Sequence, residues 1–261
     1  MHPIIGAIEL TNVCNLRCYH CPVGRPPKQH GDGVDYPKGF LTIENFLKAL
    51  KHCKPNVELS AHGEALLHPN VFAFVEIAKK FGKDTFFHTN GLLLTDEACE
   101  KLVQAKINAI QVSLHTEKSL ENFKRLYDIN EKAGTPVKMF GEFLTCEYLH
   151  IRKWVASCKL EDKHLAHITI GPTHNWALNA PAENDYMQKC RYILGNECVM
   201  KWDGTIVSCC FDFEAINTLG HIDNFVNLSH KADYKLCKTC SPAWVNQNNA
   251  VFWPLHKERD Y

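Results

Sequence analysis

Residues 4–21 read Ile4-Ile5-Gly6-Ala7-Ile8-Glu9-Leu10-Thr11-Asn12-Val13-Cys14-Asn15-Leu16-Arg17-Cys18-Tyr19-His20-Cys21. A β-branched apolar run just after Pro3 predicts a strand over Ile4–Leu10, and a C-x3-C-x2-C run occupies the loop that leaves it. Outward from this strand the pattern repeats. Strand-like runs fall at Asn56–Ser60, Asp84–His88, Ala109–Leu114, Val137–Phe143 and His167–Gly171. Between them lie amphipathic helical patterns over Thr42–Cys53, Pro69–Phe81, Thr95–Gln104, Glu117–Ala133 and Glu147–Cys158. Thr42, Thr95 and Thr116 suit N-caps, Pro69 suits a first helical turn, and Gly82 and Gly134 suit C-caps. Six strands separated by helices imply an α/β fold, with a parallel sheet and right-handed crossovers, either curled into a partial barrel or left open. In both forms chemistry gathers at the C-terminal ends of the strands.

After about residue 180 the pattern changes. Glu197–Cys210 reads as two short strands around Asp203-Gly204, a strong hairpin signal, and the tail carries Cys237-Lys238-Thr239-Cys240. The chain thus divides into a βα region over 1–180 and a smaller module over 181–261. Its 261 residues are 45% hydrophobic, with Lys+Arg 29 balancing Asp+Glu 29, which excludes a disordered or collagen-like chain. Zero net charge leaves no electrostatic footprint for nucleic acid or an anionic membrane. Met1–Leu10 lacks a basic n-region and carries Glu9, so no secretory signal is read and a cytoplasmic location is expected. No stretch approaches the roughly 18 to 20 apolar residues of a spanning helix. Thirteen cysteines in such a chain point to metal or redox chemistry rather than a disulfide framework.

Three thiolates as close in sequence as Cys14, Cys18 and Cys21 can ligate three irons of a cubane cluster and leave the fourth corner open to a reactant. The same spacing also suits a zinc knuckle completed by His20 or a distant Cys. Cys53, Cys99, Cys146 and Cys158 read as small buried hydrophobes. No H-E-x-x-H pair suggests a separate zinc site.

The Cys14–Cys21 run, in a loop after the first strand, resembles the hallmark of the radical SAM enzymes. The resemblance implies a partial (β/α)6 TIM-like barrel in which Cys14, Cys18 and Cys21 hold a 4Fe-4S cluster, its open iron chelating S-adenosyl-L-methionine. It also implies reductive cleavage of that cofactor to a 5′-deoxyadenosyl radical, which abstracts a substrate hydrogen atom. Ser60-Ala61-His62-Gly63-Glu64 sits where the family has Gly-Gly-Glu, with His62 in place of the first glycine. By the same likeness Gly63 and Glu64 are expected near the methionine amino group. Asn90, in His88-Thr89-Asn90-Gly91, and Ser113, in Val112-Ser113-Leu114-His115, are further cofactor contacts that the family pattern implies. His115 departs from the commoner Asp, and Gly91 has a purely conformational role open to it, a turn at positive φ. Gly171–Trp176 resembles the segment that approaches adenine and the substrate cavity.

Cys190, Cys209, Cys237 and Cys240 form a second set of four thiols. From ligands alone it suits a zinc ribbon or a cluster. It resembles the auxiliary 4Fe-4S module of the SPASM and twitch subgroup, in the shortened twitch form, because no Cys follows Cys240. That implies a small C-terminal module of β-hairpin and helix. Cys198 is a weaker ligand candidate than Cys190, and Cys210 is either a hydrogen donor to a substrate radical or a packing residue. The chain's size and shortened module resemble those of a dehydrogenase that oxidises an alcohol. The expected activity is oxidation of a small-molecule or peptide substrate with help from the auxiliary cluster, with flavodoxin or ferredoxin as electron donor. Peptide epimerisation or cross-linking is the alternative. It is weakened by the strand pattern starting at residue 4, which leaves no room for a leader-binding domain. A non-catalytic zinc-stabilised binding module is the reading from another class.

Overall fold

The computed structural model describes residues 2–18, 21–23, 37–134, 137–144, 158, 160–171, 190–231, 234 and 237. They fall into two compact units, one from the described residues up to 85 with those from 190 onward, the other from 86–171.

In the first unit β1 (Ile4–Ile8) is an interior strand. Ile5, Ala7 and Ile8 are all buried, as a strand covered on both faces requires. It pairs in parallel with β2 (Cys53–Glu58) on one side and with β7 (Glu197–Met200) on the other. β2 starts three residues before the predicted Asn56 and includes Pro55. The β1–β2 ladder is irregular between Ile5 and Ala7, and such an irregularity is where a sheet tolerates proline. Cys53, expected in a helix, opens β2 instead. β7 and β8 (Thr205–Val207) form the predicted antiparallel hairpin, with Gly204 at φ +92° in its turn. A third strand, β9 (Thr218–His221), not anticipated, pairs antiparallel with β8 and gives the order β2-β1-β7-β8-β9.

Helix α1 (Ile43–Leu50) starts at the predicted cap: the Thr42 hydroxyl accepts from the Asn45 amide. Its buried residues Phe46, Ala49 and Leu50 form the apolar stripe, and the Phe46 ring meets that of Phe74 at 4.4 Å on α2 (Val71–Lys80). Pro69 does not enter the first turn of α2. A short 3-10 turn (Ala65–Leu67) precedes it and Asn70 is the cap residue, so Pro69 lies just outside the helix. Gly82 follows the end of α2 at φ +69°, as expected.

The second unit is a parallel sheet in the order β3-β4-β5-β6, from Asp84–Thr89, Ala109–Ser113, Lys138–Leu144 and Ile168–Gly171. Helix α3 (Asp96–Gln104) is capped by Thr95, and α4 (Glu117–Ala133) by Thr116 in a reciprocal capping box with Ser119, ending on Gly134 at φ +60°. Gly141 on β5 admits α4 closely: a Cβ there would lie 2.8 Å from Leu114 and 3.4 Å from Phe123. A four-residue helix α5 (Asp162–Leu165) leads into β6. The helix expected over Glu147–Cys158 lies almost wholly outside the described residues.

Candidate functional site

The sheet ends decide what can meet. Beyond Ile8 the chain leaves β1 through Thr11, Asn12 and Val13, and each is tied down. The Thr11 hydroxyl donates to the Gly39 carbonyl at 2.6 Å and accepts from the Val13 amide at 3.0 Å. The Asn12 side chain donates to the Pro37 carbonyl at 2.8 Å and accepts from the Gly39 amide at 3.0 Å. The segment His62-Gly63-Glu64 threads against this base. The Glu64 amide donates to the Val13 carbonyl at 2.8 Å. Gly63 has φ +74°, and a Cβ on it would stand 2.5 Å from the Thr11 carbonyl oxygen and 2.6 Å from that of Val13. Only glycine fits there, for the sign of φ and for the closeness of two backbone carbonyls. The two separate sequence signals, the Cys run and the Gly-Glu pair, are thus one structural feature.

Cys14, Cys18 and Cys21 are all half-buried in the loop that continues from Val13. The Leu16 amide points at the Cys14 sulfur at 3.4 Å, and the Cys21 amide closes a turn on the Cys18 carbonyl at 3.1 Å. Burial raises the Cys18 thiol pKa, partly offset by a backbone hydrogen bond. An N–H aimed at sulfur, and thiols in one short loop at the end of an interior strand, suit a cluster held by thiolates. Among the described residues no three His, Cys, Asp or Glu side chains converge as a single metal ion would need.

Of the second cysteine set, Cys190 precedes helix α6 (Arg191–Leu194), Cys209 follows β8 with Cys210 next to it, and Cys237 closes a turn on Tyr234, its amide 3.1 Å from that carbonyl. Cys190, Cys209, Cys210 and Cys237 are half-buried. Burial raises the Tyr234 phenol pKa, the Lys231 amide offsets part of this, and Cys237, Cys198 and Cys209 push it further up. The His230 Nε2–H donates to the Glu197 carbonyl at 2.8 Å, so its Nδ1 accepts from the Tyr234 hydroxyl at 2.8 Å, which in turn accepts from the Lys231 amide at 2.9 Å. Cys198 itself is fully buried, its sulfur 3.6 Å from the Ile4 carbonyl, and burial raises its pKa strongly, as for a packing residue. Cys53 and Cys99 are buried too, their thiols pushed up to about 12. Cys240, Cys146 and 172–176 lie outside the described residues.

Asn90 and Ser113 belong to the second unit. The Asn90 side chain accepts from the Leu92 amide at 3.0 Å in a side-chain-closed turn, and Gly91 takes φ +77° against Val112 and Ser119. Ser113 ends β4, half-buried, opposite Glu142 of β5, and His115 is exposed. Because Gly141 and Val112 face α4, their neighbours Glu142, Gln111 and Ser113 lie on the other face of the sheet. There the Gln111 amide donates to the Glu142 carboxylate. Burial raises the Glu142 pKa, with His88 and Gln111 opposing.

Sequence reasoning missed the charged residues of the first unit's core. Glu9 and Lys201 are wholly buried, and Asp212 nearly so. The signal was present in a Glu inside Ile-Glu-Leu and a Lys inside Val-Met-Lys-Trp, charges in otherwise apolar runs. Glu64 is likewise buried, its carboxylate accepting from the Leu66 amide at 3.1 Å.

A profile of the Radical SAM superfamily matches residues 8–142, just over half of the chain. The chain is 31% identical over 148 residues to an AdoMet-dependent heme synthase of Methanosarcina barkeri, covering 54% of this chain and 40% of that protein. It is 31% identical over 154 residues to a tungsten-containing aldehyde ferredoxin oxidoreductase cofactor-modifying protein of Pyrococcus furiosus, covering 51% and 41%. The matches thus span about two fifths of these curated relatives. Among solved structures, BtrN in complex with AdoMet and 2-DOIA superposes with TM-score 0.53 at 17% identity, covering 87% of this chain and 82% of that one. The anSMEcpe structure with AdoMet and a Kp18Cys peptide gives 0.59 at 14% identity, covering 85% and 78%. SuiB of Streptococcus suis bound to S-adenosylmethionine gives 0.55 at 15%, covering 85% and 64%. These likenesses carry the fold: α/β with a parallel sheet, of the partial-barrel kind expected from the sequence. No helix among the described residues is long and apolar enough to cross a membrane.

Proposed function

The chain belongs to the radical SAM superfamily, and from that premise we propose that it oxidises a small-molecule substrate using two 4Fe-4S clusters, one of them auxiliary. The observation that carries the reading is the bond from the Glu64 amide to the Val13 carbonyl, which sets the Gly63-Glu64 segment against the base of the cysteine loop. When bound, the clusters would supply the electron that cleaves S-adenosylmethionine to a 5′-deoxyadenosyl radical and an acceptor for the electron a substrate radical gives up.

The chain's own residues do the rest. Cys14, Cys18 and Cys21 would hold the first cluster, and the Gly63-Glu64 segment would bind the methionine amino group of S-adenosylmethionine. Asn90 and Ser113 are cofactor-binding candidates by the family likeness alone. Cys190, Cys209, Cys237 and Cys240 would hold the auxiliary cluster, with the Cys237 amide tied to the Tyr234 carbonyl. A barrel over 1–180 thereby carries the radical chemistry and a twitch-type module over 181–261 the second cluster. The chain resembles 2-deoxy-scyllo-inosamine dehydrogenase, an analogy of architecture that favours an alcohol as the oxidised group. The reductant is a flavodoxin or ferredoxin.

Peptide modification is the second reading, since anSMEcpe, similar in fold, was solved with a peptide bound. Cys210 separates the two. A peptide epimerase returning a hydrogen atom from that thiol loses turnover in Cys210→Ala, whereas a dehydrogenase keeps it. The direct test is anaerobic reduction with dithionite and S-adenosylmethionine. The reading expects 5′-deoxyadenosine from the parent and none from Cys14→Ala, and it is abandoned if the iron-loaded parent makes none.

A further inference from the structure

The parallel pairing of β1 with β7 sets Ile8 beside Met200, so the next residues, Glu9 and Lys201, leave their strands side by side, the Glu9 amide bonded to the Met200 carbonyl at 2.8 Å. Both side chains are completely buried. One Glu9 oxygen lies 3.5 Å from the Lys201 ammonium, and the other is 2.6 Å from Nδ1 of His62, also buried. Burial alone would raise the Glu9 pKa, but Lys201 and His62 more than offset it and hold the carboxylate ionised. Burial lowers the His62 pKa, so a neutral imidazole donates Nδ1–H to Glu9.

The same ammonium donates to the Phe213 carbonyl at 3.0 Å and lies 5.3 Å from the centre of that ring, which His62 meets edge-on at 5.1 Å. Phe213 follows Cys209-Cys210 closely. Its neighbour Asp212 accepts from the Ile216 and Asn217 amides, both at 2.8 Å, closing the turn into β9. A core charge pair costs desolvation that apolar residues would not, so its retention calls for a specific role. The contacts of this one join the residue before Gly63-Glu64 to the segment just after Cys209-Cys210.

We infer that His62 is a positioning residue that, through Glu9, Lys201 and Phe213, locks the Gly63-Glu64 segment to the Cys209–Asn217 segment, so that order in one depends on order in the other. The inference rests on the functional reading only in naming S-adenosylmethionine as the ligand of the first segment. It explains why this chain carries His where the resembled motif has Gly: a glycine would leave the Glu9 oxygen without its imidazole donor and the Phe213 ring without its neighbour.

The test is amide hydrogen exchange of the intact chain, with and without reconstituted clusters, in the parent and in His62→Gly, His62→Asn and Lys201→Met. In His62→Gly, exchange rises about tenfold or more at the Glu64 amide and also at the Ile216 and Asn217 amides, while the β4 and β5 amides keep parent rates. Lys201→Met, changed on the far side of Glu9, speeds exchange at Glu64 as well. His62→Asn, whose amide reaches the Glu9 oxygen in place of Nδ1–H, stays within about threefold of the parent. On the cluster-loaded chain, S-adenosylmethionine slows exchange at Ile216 and Asn217 in the parent and not in His62→Gly. Faster exchange at Glu64 alone, or no response of Glu64 to Lys201→Met, overturns the linkage. A cluster-loaded parent that binds no S-adenosylmethionine overturns the functional reading, while the ligand-free exchange rates decide the linkage regardless. If His62→Gly does not fold, Lys201→Met and His62→Asn carry the same comparison.

Discussion

Gly63→Ala, measured beside Gly82→Ala, separates conformational strain from close packing. Both glycines have positive φ, +74° and +69°. Both alanine variants therefore bear the left-handed penalty of about 1–2 kcal/mol. At Gly82 nothing lies within 4 Å of the added Cβ, so that penalty is the whole effect. At Gly63 the Cβ would come within 2.5 Å and 2.6 Å of two carbonyl oxygens, where ordinary contact begins at 3.4 Å. Those oxygens belong to backbone pinned by Thr11, Asn12 and Gly39, and they cannot retreat as a side chain would. Overpacking of this kind costs about 1–3 kcal/mol. Losing the Glu64-to-Val13 hydrogen bond adds about 0.5–1.5 kcal/mol. The total is about 2.5–6.5 kcal/mol for Gly63→Ala against about 1–2 for Gly82→Ala. With a urea m-value of about 3 kcal/mol/M, midpoints fall by about 1–2 M and about 0.3–0.7 M respectively. Gly82→Ala keeps S-adenosylmethionine binding, and Gly63→Ala loses it. Equal midpoint shifts for the two variants would refute the close approach of residues 62–64 to the cysteine loop.

Glu9→Gln strips the buried Lys201 of its counter-charge and destabilises by about 3–5 kcal/mol in urea unfolding, most of it recovered in Glu9→Gln/Lys201→Met; no recovery in the double variant contradicts the pairing. Asp212→Ala leaves the Ile216 and Asn217 amides without their acceptor at about 1–3 kcal/mol each, and an unchanged urea midpoint is the contrary result. Stability falls as pH drops from about 7.5 to 5.5, because burial lowers the pKa of His52, His62, His68, His164 and His230. The unfolded chain, titrating near 6.5, takes up those protons first. Glu142 and Asp212, whose burial raises their pKa, act in the opposite direction, since the folded state binds their protons first. Urea midpoints that are flat between pH 7.5 and 5.5 contradict the histidine assignment.

The βα order was legible because local chemistry and tertiary packing agree there. Thr42, Thr95 and Thr116 cap their helices through the predicted hydroxyl-to-amide bonds, and Gly134 ends α4 in the left-handed conformation. Local pattern failed where a distant contact decides. Pro69 is a good first-turn residue by itself, but the chain reaches it from the 3-10 turn capped by Glu64 and the helix begins only after the cap residue Asn70. β2 begins at Cys53 in spite of Pro55 because the β1 ladder is irregular there. Nothing local in Glu197–Met200 says that β7 lies parallel to β1, nor that β9 will follow, since a strand's partner is a long-range choice. At the site, the cysteine run and the Gly-Glu pair stood out by spacing, and their mutual contact did not. Glu9 and Lys201 each interrupt an apolar run, but only the parallel register of β1 and β7 sets them together in the core.

The proposed assignment of Cys14, Cys18 and Cys21 to one cluster and of the C-terminal cysteines to another is tested most directly by iron and sulfide content after anaerobic reconstitution, in the parent and in a variant with those three cysteines changed to Ala. Two four-iron clusters give about eight irons per chain in the parent and about four in the variant. About four in the parent and none in the variant would remove the auxiliary cluster, and no iron in either would contradict the account outright.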